Sequence, residues 1–392
     1  MLRFLTAGES HGKALVVVVE GLPAGLAVEV SAIQRELSRR RLGYGRGPRM
    51  RFEADVLEIL GGVRHGRTLG SPVAIEIGNS EWERKWTREM SPEPGVPAAK
   101  LTKPRPGHAD LAGMQKYGFD DARDVLERAS ARETAARVAA GVLAKLLLKA
   151  IGVDIVSHVV QIGTATARRD QLPLPADLEA IDASQVRCLD PVAEEQMVAE
   201  IRQAAKEGDS LGGAVEVVAH GVPVGLGSHV HWDRKLDGLI GQAMMSIQAV
   251  KACSIGAGIE IAALRGSVAH DAIYYDSASG EYLRKTWRSG GIEGGISTGG
   301  PVVVEAWMKP LATLNRPVLE TVDVVTKEAT VSFKERTDVT AVPAMGVVAE
   351  SMLALVLAQE ALHKFGGDSV AEFSRNRLAF LSSLGETPSA VR

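Results

Sequence analysis

The chain has 392 residues, of which 45% are hydrophobic and 24% charged, and its formal net charge at pH 7 is −3. This composition is typical of a globular protein with a sizeable core, and the slight acidity argues against binding nucleic acid through the overall field. Aromatic residues make up only 4% of the chain, which argues against stacking platforms for single-stranded nucleic acid.

The first predicted elements are strands followed by one helix. Apolar, β-branched runs predict strands at residues 14–20, 27–30, 54–60 and 72–77. The first two are separated by a turn that contains Gly21, Pro23 and Gly25. Ser31 is predicted to be the N-cap of a helix that runs to about Arg41, because Ile33 and Leu37 follow at helical spacing.

Helices dominate the later predictions. Ser130 and Glu133 have the spacing of a capping box, and the apolar residues behind them predict a largely buried helix that ends near Ile151. A second helix is predicted to begin at Asp190-Pro191, with aspartate as N-cap and proline in the first turn. A third begins near Asp233, and a fourth covers residues 344–363.

Two parts of the chain resemble each other internally. Residues 17–26 are similar to residues 217–226, and residues 70–76 are similar to residues 299–305, in the same order. A helical pattern follows residue 26 and again residue 226. Two matches in one order favour a duplicated strand–helix–strand–strand unit, and hence two similar halves that pack in layers of helices and sheets.

The cysteine pattern and the N-terminus bear on compartment and metals. The two cysteines, Cys188 and Cys253, have no metal-ligand spacing and indicate no disulfide framework. The N-terminus does not have the pattern of a signal peptide, and the apolar run at residues 14–19 is far too short to span a bilayer. We therefore expect a cytoplasmic protein with no bound metal and no membrane partner.

Positive charge is concentrated near the N-terminus. The cluster consists of Arg35, Arg39, Arg40, Arg41, Arg46, Arg49 and Arg51, with glycines between several of them. Arginine offers a rigid fork of donors that fits phosphate and carboxylate oxygens, and glycine lets the backbone approach a ligand. Two interpretations stay open from these residues alone: a solvated basic helix end, and a site for a polyanion whose charge relieves the mutual repulsion.

Three further segments have residues suited to chemistry. His11 lies in a glycine-flanked loop at residues 8–12, where Ser10 lacks the G-x-S-x-G setting of a hydrolase nucleophile. A proline- and glycine-rich loop at residues 103–110 presents Arg105, His108 and Asp110, and histidine is suited to proton transfer near neutral pH. The third segment, residues 333–339, carries Arg336 and Asp338. The glycine-rich residues 289–300 could lie against a flat ring or a phosphate, but they lack the Rossmann fingerprint.

Together these motifs resemble the chorismate synthase family over essentially the whole chain. The signature segments are Gly8-Glu9-Ser10-His11-Gly12 with Glu20-Gly21-Leu22-Pro23, Glu127-Arg128-Ala129-Ser130-Ala131-Arg132-Glu133-Thr134, and Arg336-Thr337-Asp338-Val339. Two further motifs of the family are matched by Arg39-Arg40-Arg41-Leu42-Gly43-Tyr44-Gly45-Arg46-Gly47 and by Arg105-Pro106-Gly107-His108-Ala109-Asp110. Thr337 departs from the serine that is usual there, and it keeps the hydroxyl.

The resemblance implies an activity and an architecture. The activity is a lyase reaction, the 1,4-anti elimination of phosphate and a ring hydrogen from 5-enolpyruvylshikimate 3-phosphate to give chorismate. It requires reduced FMN without net redox change and belongs to the shikimate pathway of aromatic amino-acid biosynthesis. The fold is α+β, a β-α-β sandwich with internal pseudo-two-fold symmetry, and we expect one domain over residues 1–392 with halves at 1–200 and 201–392. The assembly is a homotetramer, an external flavin reductase would be a partner, and NADPH would act only as an indirect reductant.

The resemblance also implies roles for individual residues. The catalytic residues are His11 beside the leaving phosphate, His108 for the protonation state of the reduced flavin, and Asp338 for proton removal near the flavin N5. The cofactor-binding residues are Arg128, Ala129, Ser130, Gln248, Ala249, Gly294, Lys309, Pro310, Leu311, Ala312, Thr313 and Arg336. The substrate-binding residues are Ser10, Arg39, Arg40, Arg46, Arg49 and Arg105.

Three alternatives belong to other classes. A non-catalytic protein that binds phosphorylated anions would explain the arginines and glycine loops, but it gives no reason for His11, His108 and Asp338 together. A flavin oxidoreductase that uses NADPH is the second alternative, and no insertion in the chain suggests it. A nucleic-acid-binding protein that uses the arginine cluster is the third, and the low pI of about 6.3 opposes it.

Overall fold

The computed structural model describes residues 1–47, 56–97, 99–278, 280–333 and 337–384, so that Arg49 and Arg336 lie outside the described residues. Within these residues the strands are β1 Arg3–Ala7, β2 Ala14–Glu20, β3 Val56–Gly61, β4 Val63–Arg64, β5 Arg67–Thr68, β6 Val73–Gly78, β7 Asp154–Ile162, β8 Ala165–Thr166, β9 Gly213–His220, β10 Val250–Ile255, β11 Ile273–Asp276, β12 Glu281–Arg284, β13 Ile292–Glu293, β14 Ile296–Ser297, β15 Val302–Met308, β16 Glu320–Val322 and β17 Ala329–Val331.

The α-helices of the same residues are α1 Val30–Arg39, α2 Asp110–Tyr117, α3 Arg123–Ala129, α4 Thr134–Lys149, α5 Leu178–Ala183, α6 Pro191–Glu207, α7 Leu236–Met245, α8 Gly266–Ala269, α9 Val342–Phe365 and α10 Val370–Ser383. A π-helical turn at Trp82–Trp86 and a 3₁₀ turn at Ala131–Glu133 matter for the site. The mixture of antiparallel sheets and helices confirms the predicted α+β class.

Two antiparallel sheets enclose a layer of helices. The first sheet has the strand order β1-β2-β6-β3 and the second has the order β10-β15-β9-β7-β8. Helix α4 packs on the first sheet, α9 packs on the second, and the two helices pack on each other. Alternation along β2 places Leu15, Val17 and Val19 in the core and Glu20 outside it. These layers form the predicted β-α-β sandwich.

Helix α9 is long and apolar enough to cross a membrane by length and composition alone, but 89% of its apolar window is buried inside the protein. Apolarity on all sides is expected for a helix that lies between a sheet and other helices. Its close approach to α4 requires a glycine: a Cβ added to Gly141 would lie 2.3 Å from the Cβ of Ser351. Helix α9 is therefore the centre of the core.

The internal duplication is visible in the hydrogen bonds. The Thr68 hydroxyl donates to the Pro23 carbonyl at 2.7 Å and accepts from the Leu26 N–H at 2.9 Å. The Ser297 hydroxyl donates to the Pro223 carbonyl at 2.7 Å and accepts from the Leu226 N–H at 2.8 Å. The sheet orders correspond as well, since β1-β2-β6-β3 repeats as β7-β9-β15-β10. The unit is larger than predicted, because each copy also contains a short hairpin and a final core helix.

The pairing of β7 bears on the predicted division at residue 200. Strand β7 begins at Asp154 and pairs with β9 of the second sheet. A division at residue 200 would separate β7 from its sheet, so the hydrogen bonds favour a second copy that begins before Asp154. That the whole chain forms one domain stays a prediction.

Several predicted boundaries move by a few residues. Residues 27–30 form no strand; Ala27 makes one isolated bridge to Arg67, and α1 begins at Val30 with Glu29 in the N-cap position. The Ser31 hydroxyl bonds to the Glu29 carboxylate instead of capping. Asp190 does cap its helix, accepting from the N–H groups of the next turn.

The predicted capping box at Ser130 is only half formed. The Ser130 side chain accepts from the Arg132 N–H at 3.3 Å, which caps the 3₁₀ turn before α4. The Glu133 side chain does not return to Ser130, because it accepts from Thr6, Arg137 and Gln248. The preceding residues form the separate helix α3, so the chain bends at Ser130.

Candidate active site

A cleft of about 270 Å³ lies where α4 and α9 begin. The lining residues at the start of α4 are Ser130, Ala131, Arg132 and Thr134, and those at the start of α9 are Ala341, Ala344, Met345 and Val348. The two helices occupy corresponding positions in the two copies of the repeat, so the cleft lies between the halves. Its volume is near the lower end of the range for ligand pockets, about 300 Å³.

The charge of the cleft is mainly positive. Its charged lining residues among the described positions are Arg40, Arg46, Arg132 and Asp338. Both helices also direct their N-terminal ends at it, and the partial positive charge there adds to that of the arginines. Asp338 is held by Arg46, whose Nη1 lies 3.1 Å from its Oδ2, and by the Gly47 N–H, 2.6 Å from its Oδ1. The arrangement suits an anionic ligand next to one fixed carboxylate.

Gln248 has an orphaned acceptor at the wall of the cleft. Its Nε2 donates to Glu133 at 3.0 Å, which fixes the orientation of the amide. Its Oε1 is buried and has no hydrogen-bond partner among the described residues. A buried acceptor without a partner is costly, so this oxygen is suited to a ligand N–H. Apolar neighbours Ile247, Met308 and Leu311 offer a surface for a ring.

His11 lies beside the cleft, next to the lining residue Ser10, whose hydroxyl accepts from Ser130 at 3.1 Å. The His11 ring stacks on Trp86 with centroids 3.9 Å apart, and its Nδ1 lies 2.8 Å from Glu127 Oε1. Burial raises the pKa of the Glu127 carboxyl, but the hydrogen bonds from His11 outweigh it and the pKa is lowered. Glu127 is therefore ionised at neutral pH.

His108 belongs to a second group of charged residues, next to the segment that follows β15. Its Nδ1 hydrogen bonds to Asp110, which is fully buried and also bonds to Arg105 at 2.8 Å. Burial raises the pKa of Asp110, but hydrogen bonds from His108 and Arg105 outweigh it and hold the pKa well below its usual range. Arg105 Nη1 donates to Thr313 at 2.9 Å. Thr313 lies two residues after Leu311, which lines the cleft, so this hydrogen bond connects the group to the wall of the cleft.

Arg39 points away from the cleft. Its Nε lies 2.6 Å from Asp182, its Nη1 lies 2.9 Å from Glu36, and both Nη atoms bond to Glu350. Lys145 and Arg187 complete this group, which contains three cations and three carboxylates. We call it the buried ionic cluster. Substrate binding by Arg39 finds no support in this position.

The remaining predicted cofactor residues lie in different places. Ala249 has a positive φ of 67°. Its carbonyl accepts from the Lys309 N–H at 2.9 Å, and this hydrogen bond connects the turn at Ala249 to the residues after β15. Lys309 Nζ donates to Gly107 O at 2.6 Å, and Pro310 and Ala312 continue the same segment. The Arg128 Nη atoms donate to the carbonyls of Gly8 and Thr6, and Arg128 is not among the lining residues of the cleft. Ala129 is the last residue of α3.

Gly294 is separated from Gln248 by the length of α7. It lies in the hairpin between β13 and β14, whose Gly295 carbonyl accepts from the N–H of Leu236 at the start of α7. Gln248 lies beyond the other end of α7, about 15 Å away for a helix of this length. Much of the glycine-rich segment serves close packing, since a Cβ on Gly300 would meet the ring of Trp287 at 1.9 Å.

Sequence reasoning gave some residues of the site only part of their role. The sequence indicated that Arg132 adds positive charge at the N-terminus of the helix after Ser130, and the fold shows that it lines the cleft. Glu127 had a signal in the same motif, but its partner His11 is 116 positions away. Trp86 gave no signal at all, because a single aromatic residue in a polar stretch is not informative.

The comparisons with known proteins agree with this geometry. The sequence profile of the family described as chorismate synthase matches residues 2–362. The chorismate synthase of Salinispora tropica is 58% identical over 393 residues, covering 98% of this chain and 99% of that protein. The chorismate synthase of Thermobifida fusca is 58% identical over 395 residues, with coverage of 98% and 99%. A crystal structure of chorismate synthase superposes with a TM-score of 0.79 at 40% identity and covers 98% of both chains. The duplicated sandwich, the cationic cleft and these relatives together place the chain in the chorismate synthase family.

Proposed function

We propose that the cleft converts 5-enolpyruvylshikimate 3-phosphate into chorismate and phosphate by 1,4-anti elimination. The observation that carries this proposal is the convergence of Arg40, Arg46 and Arg132 with two helix N-termini on one small cleft that also holds Asp338. The substrate carries a phosphate and two carboxylates, and close like charges repel by about 4 kcal/mol per pair at a moderate effective dielectric. Fixed cations and N–H dipoles offset that repulsion.

The cofactor of this family is a flavin, and we propose reduced FMN. The orphaned Gln248 Oε1 and the apolar wall of Ile247, Met308 and Leu311 fit the N–H edge and the ring of such a group. Ser130 and Arg132 are suited to hold anionic groups at the start of α4. When bound, reduced FMN would supply electron density to the substrate and regain it, so that no net redox change results. Ala249, Gly294, Arg336 and the segment 309–313 remain proposed contacts on the strength of the resemblance alone.

The arginines and His11 act on the substrate. Arg40 is oriented by hydrogen bonds from its Nε to Thr134 at 3.0 Å and from its Nη2 to the Ala131 carbonyl at 3.2 Å. This fixed guanidinium, with Arg46 and Arg132, binds the phosphate and carboxylates and excludes other orientations of the ring. His11, beside the cleft, gives a proton to the departing phosphate. Arg49 and Arg105 remain proposed substrate residues.

Asp338 and His108 handle the remaining proton. Asp338 is the carboxylate of the cleft among the described lining residues, and Arg46 and Gly47 fix both of its oxygens. We propose that Asp338 belongs to the path that removes the ring proton. His108 is held by Asp110 through Nδ1, so that Nε2 would be the ring atom available to exchange a proton with a bound reduced cofactor.

The wider setting is also proposed. A homotetramer, a cytoplasmic location and an external source of reduced flavin follow from the resemblance. The two cysteines are free thiols, and burial raises the pKa of Cys188 and of Cys253 to about 11, so neither is a reactive thiolate. This state suits a reducing compartment.

The test is an anaerobic assay with chemically reduced FMN and the phosphorylated substrate, which follows release of chorismate and phosphate. The His108→Ala variant should lose about 100-fold or more in kcat. It should retain flavin binding. His231→Ala, at a surface position with 54% of its side chain exposed, is the matched control. Undiminished turnover by His108→Ala would remove His108 from the mechanism. Binding of the substrate without product would favour a phospho-anion-binding protein, and NADPH consumption with free FMN would favour an oxidoreductase.

A further inference from the structure

We propose that Glu127 is a positioning residue that fixes the tautomer and the orientation of the His11 ring. This inference rests on the role proposed above for His11. Glu127 contacts it twice: Oε2 accepts from the His11 backbone N–H at 2.8 Å, and Oε1 lies 2.8 Å from ring Nδ1. The Glu127 side chain is only 3% exposed. One carboxylate therefore fixes both the loop and the imidazole.

A neighbouring cation also contacts this carboxylate. Arg123, four residues earlier on α3, places Nη1 3.0 Å from Glu127 Oε1. An ionised carboxylate can only accept a hydrogen bond, so Nδ1 of His11 carries the hydrogen. Any proton exchange with the substrate therefore runs through Nε2. The same carboxylate keeps the ring in one orientation, as a group that transfers a proton requires.

The plane of the ring is fixed separately. Trp86, in the π-helical turn, stacks on the His11 ring at an interplanar angle of 28°. The guanidinium of Arg123 lies 5.6 Å from the centroid of the Trp86 ring, so Arg123 contacts both supports of the histidine. Two further charged groups of the described residues lie near this arrangement: Glu89, 3.7 Å from Arg123, and Glu9 in the loop of His11 itself.

The second histidine has the same kind of support. His108 directs Nδ1 at the buried Asp110, and Arg105 pairs with that carboxylate at 2.8 Å. The same chain of contacts, from an arginine to a carboxylate to a histidine, thus occurs twice, on different elements of the fold. Two occurrences beside one cleft favour a role in proton transfer over incidental packing, because buried ion pairs by themselves are weak evidence for stability.

The test compares pH profiles of kcat/KM for the wild type and Glu127→Gln, with reduced FMN supplied anaerobically. The amide keeps the shape and loses the charge, so on the alkaline side of the profile kcat/KM should begin to fall at lower pH than in the wild type. We also expect kcat to fall about tenfold while flavin affinity stays unchanged. Glu83→Gln, an exposed change in the same π-helical turn as Trp86, should leave the profile as in the wild type.

Two further variants keep the outcome decisive. Arg123→Gln removes the cation that competes for Glu127 Oε1, so kcat/KM should begin to fall at higher pH instead, and this variant serves if Glu127→Gln does not fold. Full activity of His11→Ala would overturn the proposed role of His11 itself. An inactive His11→Ala together with a wild-type profile and kcat in both Glu127→Gln and Arg123→Gln would overturn the positioning role alone.

Discussion

The position of Arg39 leads to a prediction that separates stability from substrate binding. The sequence resemblance implies that Arg39 and Arg40 both bind substrate, but the structure places them on different sides of α1's C-terminal turn. Arg39 bonds to Glu36, Asp182 and Glu350 in the buried ionic cluster, whereas Arg40 lines the cleft. We therefore predict different consequences for Arg39→Gln and Arg40→Gln.

The expected magnitude follows from the charges. The cluster has three cations and three carboxylates, so Arg39→Gln leaves two cations with three carboxylates inside the protein. Removing one partner of a buried ion pair costs about 3–5 kcal/mol, because the charge left behind is desolvated. That loss is a large part of a typical unfolding free energy of about 5–15 kcal/mol. The KM for substrate should change less than about twofold, since the guanidinium does not reach the cleft.

Arg40→Gln is the matched contrast. A hydrogen bond to a charged group contributes about 1.5–3 kcal/mol, which corresponds to a rise in KM of roughly 10- to 100-fold. Its unfolding free energy should fall by less than that of Arg39→Gln. Urea unfolding at several pH values and steady-state kinetics at a temperature where both variants are folded measure the two effects.

The pH dependence provides an independent check. Burial raises the pKa of Glu350, but Arg39 and Lys145 outweigh it and hold the pKa well below its ordinary value. A carboxyl group whose pKa is lower in the folded than in the unfolded protein stabilises the fold at pH values above its unfolded pKa. This contribution is lost as the pH falls. Arg39→Gln weakens it, so acid unfolding should begin at higher pH. A stable Arg39→Gln protein with a greatly raised KM would refute this assignment and restore Arg39 to the substrate site.

Two further predictions concern packing and pH. Gly141→Ala should destabilise the protein by about 1–3 kcal/mol, because the new Cβ would lie 2.3 Å from that of Ser351. Gly241→Ala, whose new Cβ would have nothing within 4 Å, should stabilise the protein by up to about 1 kcal/mol. Equal effects of the two changes on thermal unfolding would contradict the close contact at Gly141. Burial raises the pKa of Glu305 from 4.5 to about 7, so its ionisation destabilises the fold as the pH rises through this interval. Relative to the wild type, Glu305→Gln should gain up to about 3 kcal/mol between pH 4 and pH 8, whereas a constant difference in unfolding free energy would contradict the raised pKa.

Local sequence was sufficient for many elements. The apolar β-branched run predicted Ala14–Glu20 with its observed bounds, and Asp190-Pro191 marked the start of α6 correctly. The paired glycine–proline segments indicated the duplication. Such strands and N-caps depend on side chains within a few positions of each other. Local periodicity and residue propensity are therefore enough to predict them. Boundaries failed where a tertiary contact competed, as at Glu133, whose carboxylate bonds across to Thr6 and Gln248.

The chain by itself determined the composition of the site: arginines in one stretch, histidines in two glycine-containing loops, and an aspartate before the last core helix. Only the tertiary structure decided which of these residues meet. Arg39 and Arg40 are adjacent, yet on a helix one residue turns the side chain by about 100°, so one enters the buried ionic cluster and the other the cleft. Glu127 and Trp86 become partners of His11 because α3 and the π-helical turn pack beside its loop. Local sequence does not encode such distant pairings, because they depend on how the layers of the sandwich assemble.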